Sequence, residues 1–166
     1  MSGLSVGERG FLGRAVALSR ESLVGGGTPF GAVVVVEGRV VGEGASRVVE
    51  LVDPTAHAEV LALRGAAREL GRHLMEDGVM YSSSEPCPMC LAACYWARVP
   101  RVVFGASSRD VALAGFEDLQ LYRELALSAP ERALRVESAD AESGGAAREV
   151  LDGWVAGLPS PVVPKL

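Results

Sequence analysis

The chain has three cysteines, Cys87, Cys90 and Cys94, and all of them fall within eight consecutive residues. This bunching constrains the fold more than any other feature. An odd number of thiols on one short segment cannot staple distant parts of a chain together, so a buried apolar core has to hold the fold. The stretch reads Pro86-Cys87-Pro88-Met89-Cys90, with prolines suited to the entry of a helix running to about Ala97. Thiols at a helix start meet its free N–H groups and positive dipole end, which favours the thiolate. The segment therefore predicts metal ligands or reactive thiols.

Thirty residues before Cys87 stands His57-Ala58-Glu59. Asp53-Pro54 reads as an N-cap followed by a first-turn proline, opening a helix to about Leu70 with Val60, Leu63, Ala67 and Leu70 as its buried stripe. The two stretches together offer one imidazole and two thiols, a set that zinc takes readily. Three protein ligands leave one tetrahedral position open, as a catalytic zinc requires to activate water near neutral pH. Glu59 sits at the edge of the buried stripe, where a carboxylate is costly unless it has a role, and proton transfer is such a role. Two plainer readings of these residues stand beside this one. Cys87 and Cys90 could form a redox pair, or half of a structural zinc site with Cys94 as the nearby fourth ligand. Cys94 lies one turn beyond Cys90, a position suited to packing as a small hydrophobe.

The rest of the chain predicts an α/β domain. Residues 1–24 read as a helix with Phe11, Leu12, Ala15, Val16 and Ser19 on one face, ended by Gly25-Gly26-Gly27-Thr28-Pro29. Phe30 to Val36 and Arg39 to Ala45 form a hairpin about Glu37-Gly38, and Gly31, Gly42 and Gly44 within it imply a close backbone approach. Strands follow at Gly78 to Ser82, Arg101 to Gly105 and Ala133 to Ser138, with helices at Phe116 to Leu127 and Gly145 to Ala156. Alternating strands and helices after a hairpin suggest an α/β/α sandwich. Residues 1–157 read as one domain, and residues 158–166, with three prolines, as an irregular tail.

Composition narrows the function. A net charge of −5 argues against a surface built to neutralise nucleic-acid phosphates. The longest charge-free apolar stretch, Ser22 to Val36, is broken by glycines and a proline, so no membrane span is expected. Glu8, Arg9, Arg14 and Arg20 interrupt any signal-like apolar run, which makes the cytoplasm the expected compartment.

H-x-E followed some thirty residues later by P-C-x-x-C is the pattern of zinc deaminases acting on nucleobases. The match extends through Pro29-Phe30-Gly31-Ala32, Asp53-Pro54-Thr55-Ala56-His57-Ala58-Glu59, Glu85-Pro86-Cys87-Pro88-Met89-Cys90, Tyr95-Trp96-Ala97-Arg98 and Ala114-Gly115-Phe116. Over roughly residues 8–125 the chain resembles the cytidine-deaminase-like superfamily and, within it, bacterial guanine deaminases. The resemblance implies a three-layer α/β/α sandwich with a mixed five-stranded sheet. It implies Zn2+ held by His57, Cys87 and Cys90, attack of zinc-activated water on the amine-bearing carbon, Glu59 as proton shuttle, and loss of ammonia. Phe30, Trp96 and Asp118 match positions that line the base pocket or recognise base N–H groups in the relatives, and a residue near Glu142 matches a second proton relay in some of them.

Two departures bear on the substrate. Ser46 stands where the relatives usually carry a base-reading Asn, and the tail Gly157 to Leu166 lacks the polar aromatic residue that closes the partner's site. Guanine is the family default, and isoguanine, cytosine, 5-azacytosine or an amino-triazine such as ammeline also fits these departures. The relatives form homodimers, often with the C-terminal segment exchanged, so a homodimer is expected here. Deaminases of tRNA share the motifs but usually end in a basic helix. Glu137 to Val163 instead carries five acidic residues and a single arginine, which favours a small free base. A zinc-binding partner protein without catalysis is the remaining alternative, and Glu59 argues against it.

Overall fold

The computed structural model describes residues 3–160. The chain divides into two compact units, Met1–Ala126 and Leu127–Leu166. The first holds helix α1 (Val6–Val24), strands β1 (Gly31–Val36) and β2 (Arg39–Ala45), a short helix α2 (Val48–Leu51), helix α3 (Ala58–Leu70), strand β3 (Gly78–Ser84), helix α4 (Pro88–Trp96), strand β4 (Arg101–Ala106), and helices α5 (Ser108–Leu113) and α6 (Asp118–Ala126).

The strands form one mixed sheet in the order β2-β1-β3-β4, with β1 antiparallel to both neighbours and β3 parallel to β4. All six residues of β1 are buried, and they alternate between two cores. Ala32, Val34 and Val36 pack with Ala58, Ala62, Leu63 and Ala66 of α3, whereas Val33 and Val35 pack with Leu18 of α1 and Tyr81. A run of branched apolar residues with no polar face is what a strand covered on both sides requires. The result is the expected three-layer α/β/α sandwich.

Glycine sets how closely the layers meet. A Cβ on Gly44 would lie 2.0 Å from the Ala58 carbonyl oxygen, and one on Gly42 would lie 2.2 Å from that of Ala62. Helix α3 therefore rests directly on the backbone of β2, as the glycines in the hairpin predicted.

Three local expectations are corrected. Helix α1 starts at Val6 because Ser5 and Glu8 form a capping box, each side chain bonding the other's backbone N–H. Asp53 does not cap α3. Its Oδ1 accepts from the N–H and hydroxyl of Thr55 in a tight turn, and the helix begins after His57, which occupies the N-cap position. The helix expected from Phe116 begins at Asp118, and α5 was not foreseen, although Ser107 and Asp110 form a capping box at its start.

The second unit contains a 3₁₀ turn (Ala129–Glu131) and helix α7 (Ala141–Ala156), capped by Asp140 accepting from the Ser143 N–H at 2.8 Å. The fifth strand expected at Ala133 to Ser138 is not formed, and the sheet has four strands among the described residues. The apolar residues that suggested it, Leu134 and Val136, are 75% and 73% exposed, so alternation there reflects no buried face. Part of the expected tail, residues 161–166, lies outside the described residues. Among the described residues no helix is long and apolar enough to cross a membrane.

Candidate active site

Two helix starts carry the candidate metal ligands. His57 is the N-cap of α3 and Cys87 the N-cap of α4, with Pro88 in the first turn after it and Cys90 two residues further on. Neither N-cap residue makes a side-chain capping hydrogen bond. Instead the His57 Nδ1 lies 3.7 Å from Cys87 Sγ and 3.6 Å from Cys90 Sγ. All three ligand atoms lie within 4.8 Å of one another. A tetrahedral zinc with Zn–N near 2.05 Å and Zn–S near 2.3 Å separates such a nitrogen and sulfur by about 3.6 Å. The donor set and its spacing both fit zinc.

The charges fit a cation as well. Cys90 and His57 donate toward Cys87 and draw its thiol down to about 4, while burial opposes them. The same Cys90–Cys87 bond, with burial, pushes the Cys90 thiol up. The Cys87 thiolate raises the basicity of His57 against its burial. The cluster thus holds negative charge at Cys87 that a divalent cation would neutralise. Cys94 stays outside it. It is 2% exposed, packs in the α3-side core, and burial pushes its thiol up to about 12. This is the small-hydrophobe role that its spacing suggested.

Glu59 lies in the first turn of α3 and is 4% exposed. Burial raises the pKa of its carboxyl above the usual carboxylate range, and the Ser82 hydroxyl opposes this by donating to Oε1 at 2.7 Å. Ser82 and Ser84 are both buried, on the β3 face that also carries Met80.

Beside the cluster opens a cavity of about 200 Å3. His57, Glu59 and Cys87 form one part of its lining. Phe30 and Phe116 form another and meet edge to face, with ring centroids 4.8 Å apart. Thr28, Ser46, Ser84, Glu85 and Asp118 supply polar groups, and Val48 completes the wall. Burial raises the pKa of the Asp118 carboxyl, with the nearby Cys87 charge adding to the effect. The Tyr122 hydroxyl, one turn beyond Asp118, donates to the Pro86 carbonyl at 2.7 Å and ties α6 to the cysteine loop.

Of the residues expected from sequence, His57, Glu59, Cys87, Cys90, Phe30, Ser46 and Asp118 come together here. Trp96 does not. It is 77% exposed in the last turn of α4 and borders a separate apolar groove with Leu63, Met75 and Ala93. Glu142 lies in the first turn of α7, in the second unit. Sequence reasoning missed the site roles of Thr28, Val48, Ser82, Ser84, Glu85 and Phe116. The signal for two of them was present, since Ser82 and Ser84 share one face of β3 with the buried Met80 and put hydroxyls there.

A family model for the cytidine and deoxycytidylate deaminase zinc-binding region matches residues 7–106. The chain belongs to this family. The deaminase is 48% identical over 125 residues to guanine deaminase from Bacillus subtilis, spanning 75% of this chain and 80% of that one. The solved structure of the Bacillus subtilis guanine deaminase superposes with a TM-score of 0.85 at 39% identity, covering 93% of this chain and 97% of that one. A tRNA-specific adenosine deaminase from Aquifex aeolicus is 38% identical over 101 residues, 61% of this chain and 67% of that one. This deaminase is a zinc-dependent hydrolase, with His57, Cys87 and Cys90 suited to hold the metal.

Proposed function

We propose that this deaminase acts on a free nucleobase, with guanine as its first substrate. The cavity carries the reading. Its volume of about 200 Å3 is below the roughly 300–1,000 Å3 of drug-sized sites, which suits a bare heterocycle rather than a nucleoside. The Bacillus subtilis guanine deaminase, similar in both sequence and structure, supports guanine within that class.

Zinc bound by His57, Cys87 and Cys90 supplies Lewis-acid activation of water. The protein does the rest. Phe30 and Phe116 hold the ring plane. Asp118 accepts from ring or amine N–H groups. Ser82 fixes one oxygen of Glu59. The Glu59 carboxylate takes one proton from the attacking water and passes it to the ring nitrogen, then takes the remaining hydroxyl proton as the carbonyl forms and passes it to the departing amine, which leaves as ammonia.

Ser46 favours a second reading in which isoguanine, cytosine, 5-azacytosine or ammeline is taken, because its short hydroxyl replaces an amide in recognising the base. A nucleic-acid substrate is disfavoured by the net charge of −5. We also place the protein in the cytoplasm, as a homodimer with residues 1–157 acting as one domain in each copy. The exposed Trp96, which borders the apolar groove, supports the dimer.

The test is ammonia release from zinc-loaded protein with each of these bases, adenine, guanosine, cytidine and tRNA. Turnover of guanine with the nucleosides and tRNA refused is expected. Turnover of a nucleoside or tRNA with every free base refused would overturn the proposal.

A further inference from the structure

Ser46 does not face the cavity alone. Its hydroxyl lies 2.6 Å from Thr28 Oγ1, and either oxygen is able to donate. Both residues line the cavity, and Ser46 is 5% exposed. The backbone of Ser46 is held independently of this bond. Its N–H donates to the Phe30 carbonyl at 3.0 Å, and its carbonyl accepts from the Ser22 hydroxyl at 2.9 Å. A side chain at Gly27 would collide with that Ser22 hydroxyl, its Cβ falling 2.5 Å away. The loop is thus packed to bring Thr28 and Ser46 together, with their hydroxyls as its adjustable part.

Two hydroxyls joined by one hydrogen bond keep one proton and several lone pairs for a third partner. When Thr28 donates to Ser46, the Ser46 proton is free for a substrate lone pair. When Ser46 donates to Thr28, the Ser46 oxygen is free to accept from a substrate N–H. We infer that Thr28 and Ser46 form one reversible donor–acceptor pair, which lets the cavity take amino-heterocycles presenting either an N–H or a lone pair at this edge. The inference rests on the reading of the cavity as a free-base site, and it makes Thr28 a specificity-determining residue.

The pair has a consequence that a lone serine lacks. Without the Thr28 hydroxyl, Ser46 still satisfies a substrate acceptor by donating to it. It satisfies a substrate donor only by leaving its own proton without the partner that Thr28 provides. A buried donor left unpaired carries a penalty that corresponds to about tenfold or more in binding. Thr28→Val therefore discriminates by hydrogen-bond polarity, not by size.

The experiment measures kcat/KM of the zinc-loaded wild type, Thr28→Val and Thr28→Ser on guanine, 2,6-diaminopurine and 9-deazaguanine, with products resolved by chromatography. 2,6-Diaminopurine replaces the guanine carbonyl acceptor with an amino donor, and 9-deazaguanine fixes a donor N–H in the five-membered ring. Both keep the amine of guanine at C2. Thr28→Val is expected to lower turnover of at least one donor-bearing analogue about tenfold more than that of guanine. Thr28→Ser is expected to restore the wild-type ratio. Equal losses on all three bases, no loss on any, or failure of Thr28→Ser to restore the ratio would overturn the inference alone. If the wild type converts none of the three bases, the free-base reading falls and this inference falls with it.

Discussion

Adding one methyl group at Gly44 should disable the site from the far side of helix α3. The new Cβ would lie 2.0 Å from the Ala58 carbonyl oxygen and 2.8 Å from the Ala62 nitrogen, whereas ordinary contact begins at 3.4 Å. The deficit against Ala58 is about 1.4 Å, and both contacting atoms are backbone, so no side chain can turn aside. Helix α3 must retreat from β2 at its first turn. Ala58 lies between His57 and Glu59, so the retreat displaces the proposed metal ligand and the proposed proton-transfer carboxylate together. Overpacking of this kind costs about 1–3 kcal/mol of stability, or about 2–12 °C in Tm for a chain of this size. A displacement near 1 Å of reacting groups costs on the order of 10²-fold in rate. Gly42→Ala is the control. Its Cβ meets the Ala62 carbonyl at 2.2 Å, nearly the same clash one helical turn away from the site. Thermal unfolding and kcat/KM for the best base are measured on both variants at saturating zinc. Similar losses of Tm are expected, with activity falling about 10²-fold for Gly44→Ala and less than about tenfold for Gly42→Ala. Equal activity losses, or full activity in Gly44→Ala, would refute the idea that β2 sets the position of the catalytic turn.

Three more outcomes follow from the geometry. Glu59→Gln should keep zinc and the fold while lowering kcat by about 10²–10⁴-fold, the usual share of a proton-transfer group. Near-normal turnover in that variant would remove Glu59 from the chemistry. Cys87→Ser should lose zinc by metal analysis, and Cys94→Ala should keep one zinc per chain, since Cys94 lies outside the cluster. A fully loaded Cys87→Ser would contradict the ligand assignment. Acid should destabilise the fold through Glu8 and Glu43. The Ser5 N–H and the Arg101 guanidinium lower the Glu8 carboxyl from 4.5 to about 2, and Arg14 lowers that of Glu43. Carboxyls depressed in the folded state stabilise it above their unfolded pKa and lose that contribution as pH falls through the folded value. Tm should drop between about pH 4.5 and pH 2, and less steeply in Glu8→Gln; an identical profile for this variant would exclude Glu8.

How legible each residue was depended on how local its cause is. The hairpin about Glu37-Gly38 formed as read: the two-residue turn needs positive φ at both positions, 50° and 73°, and Gly38 supplies one of them without steric cost. The start of α3 was misread because Asp53 satisfied the rules for a cap, yet its side chain was already bound to Thr55. The supposed fifth strand failed because two alternating apolar residues do not reveal whether a sheet edge awaits them. Ser46 was singled out from sequence, but its partner Thr28 lies eighteen residues away on another loop, and no spacing rule connects them.

The sequence alone determined the chemistry available to this protein. Imidazole, two thiols and one carboxylate at two helix starts supply a set of zinc ligands and a proton carrier by residue type and by the short spacing within each stretch, and the fold brings the two stretches together across thirty residues. Tertiary structure decided what that chemistry acts on. The cavity takes its shape from Phe30 meeting Phe116, Ser82 from β3 reaching Glu59 on α3, and Thr28 reaching Ser46. Each contact joins segments far apart in the chain, and only the packing of the sheet against its helices fixes which of them touch.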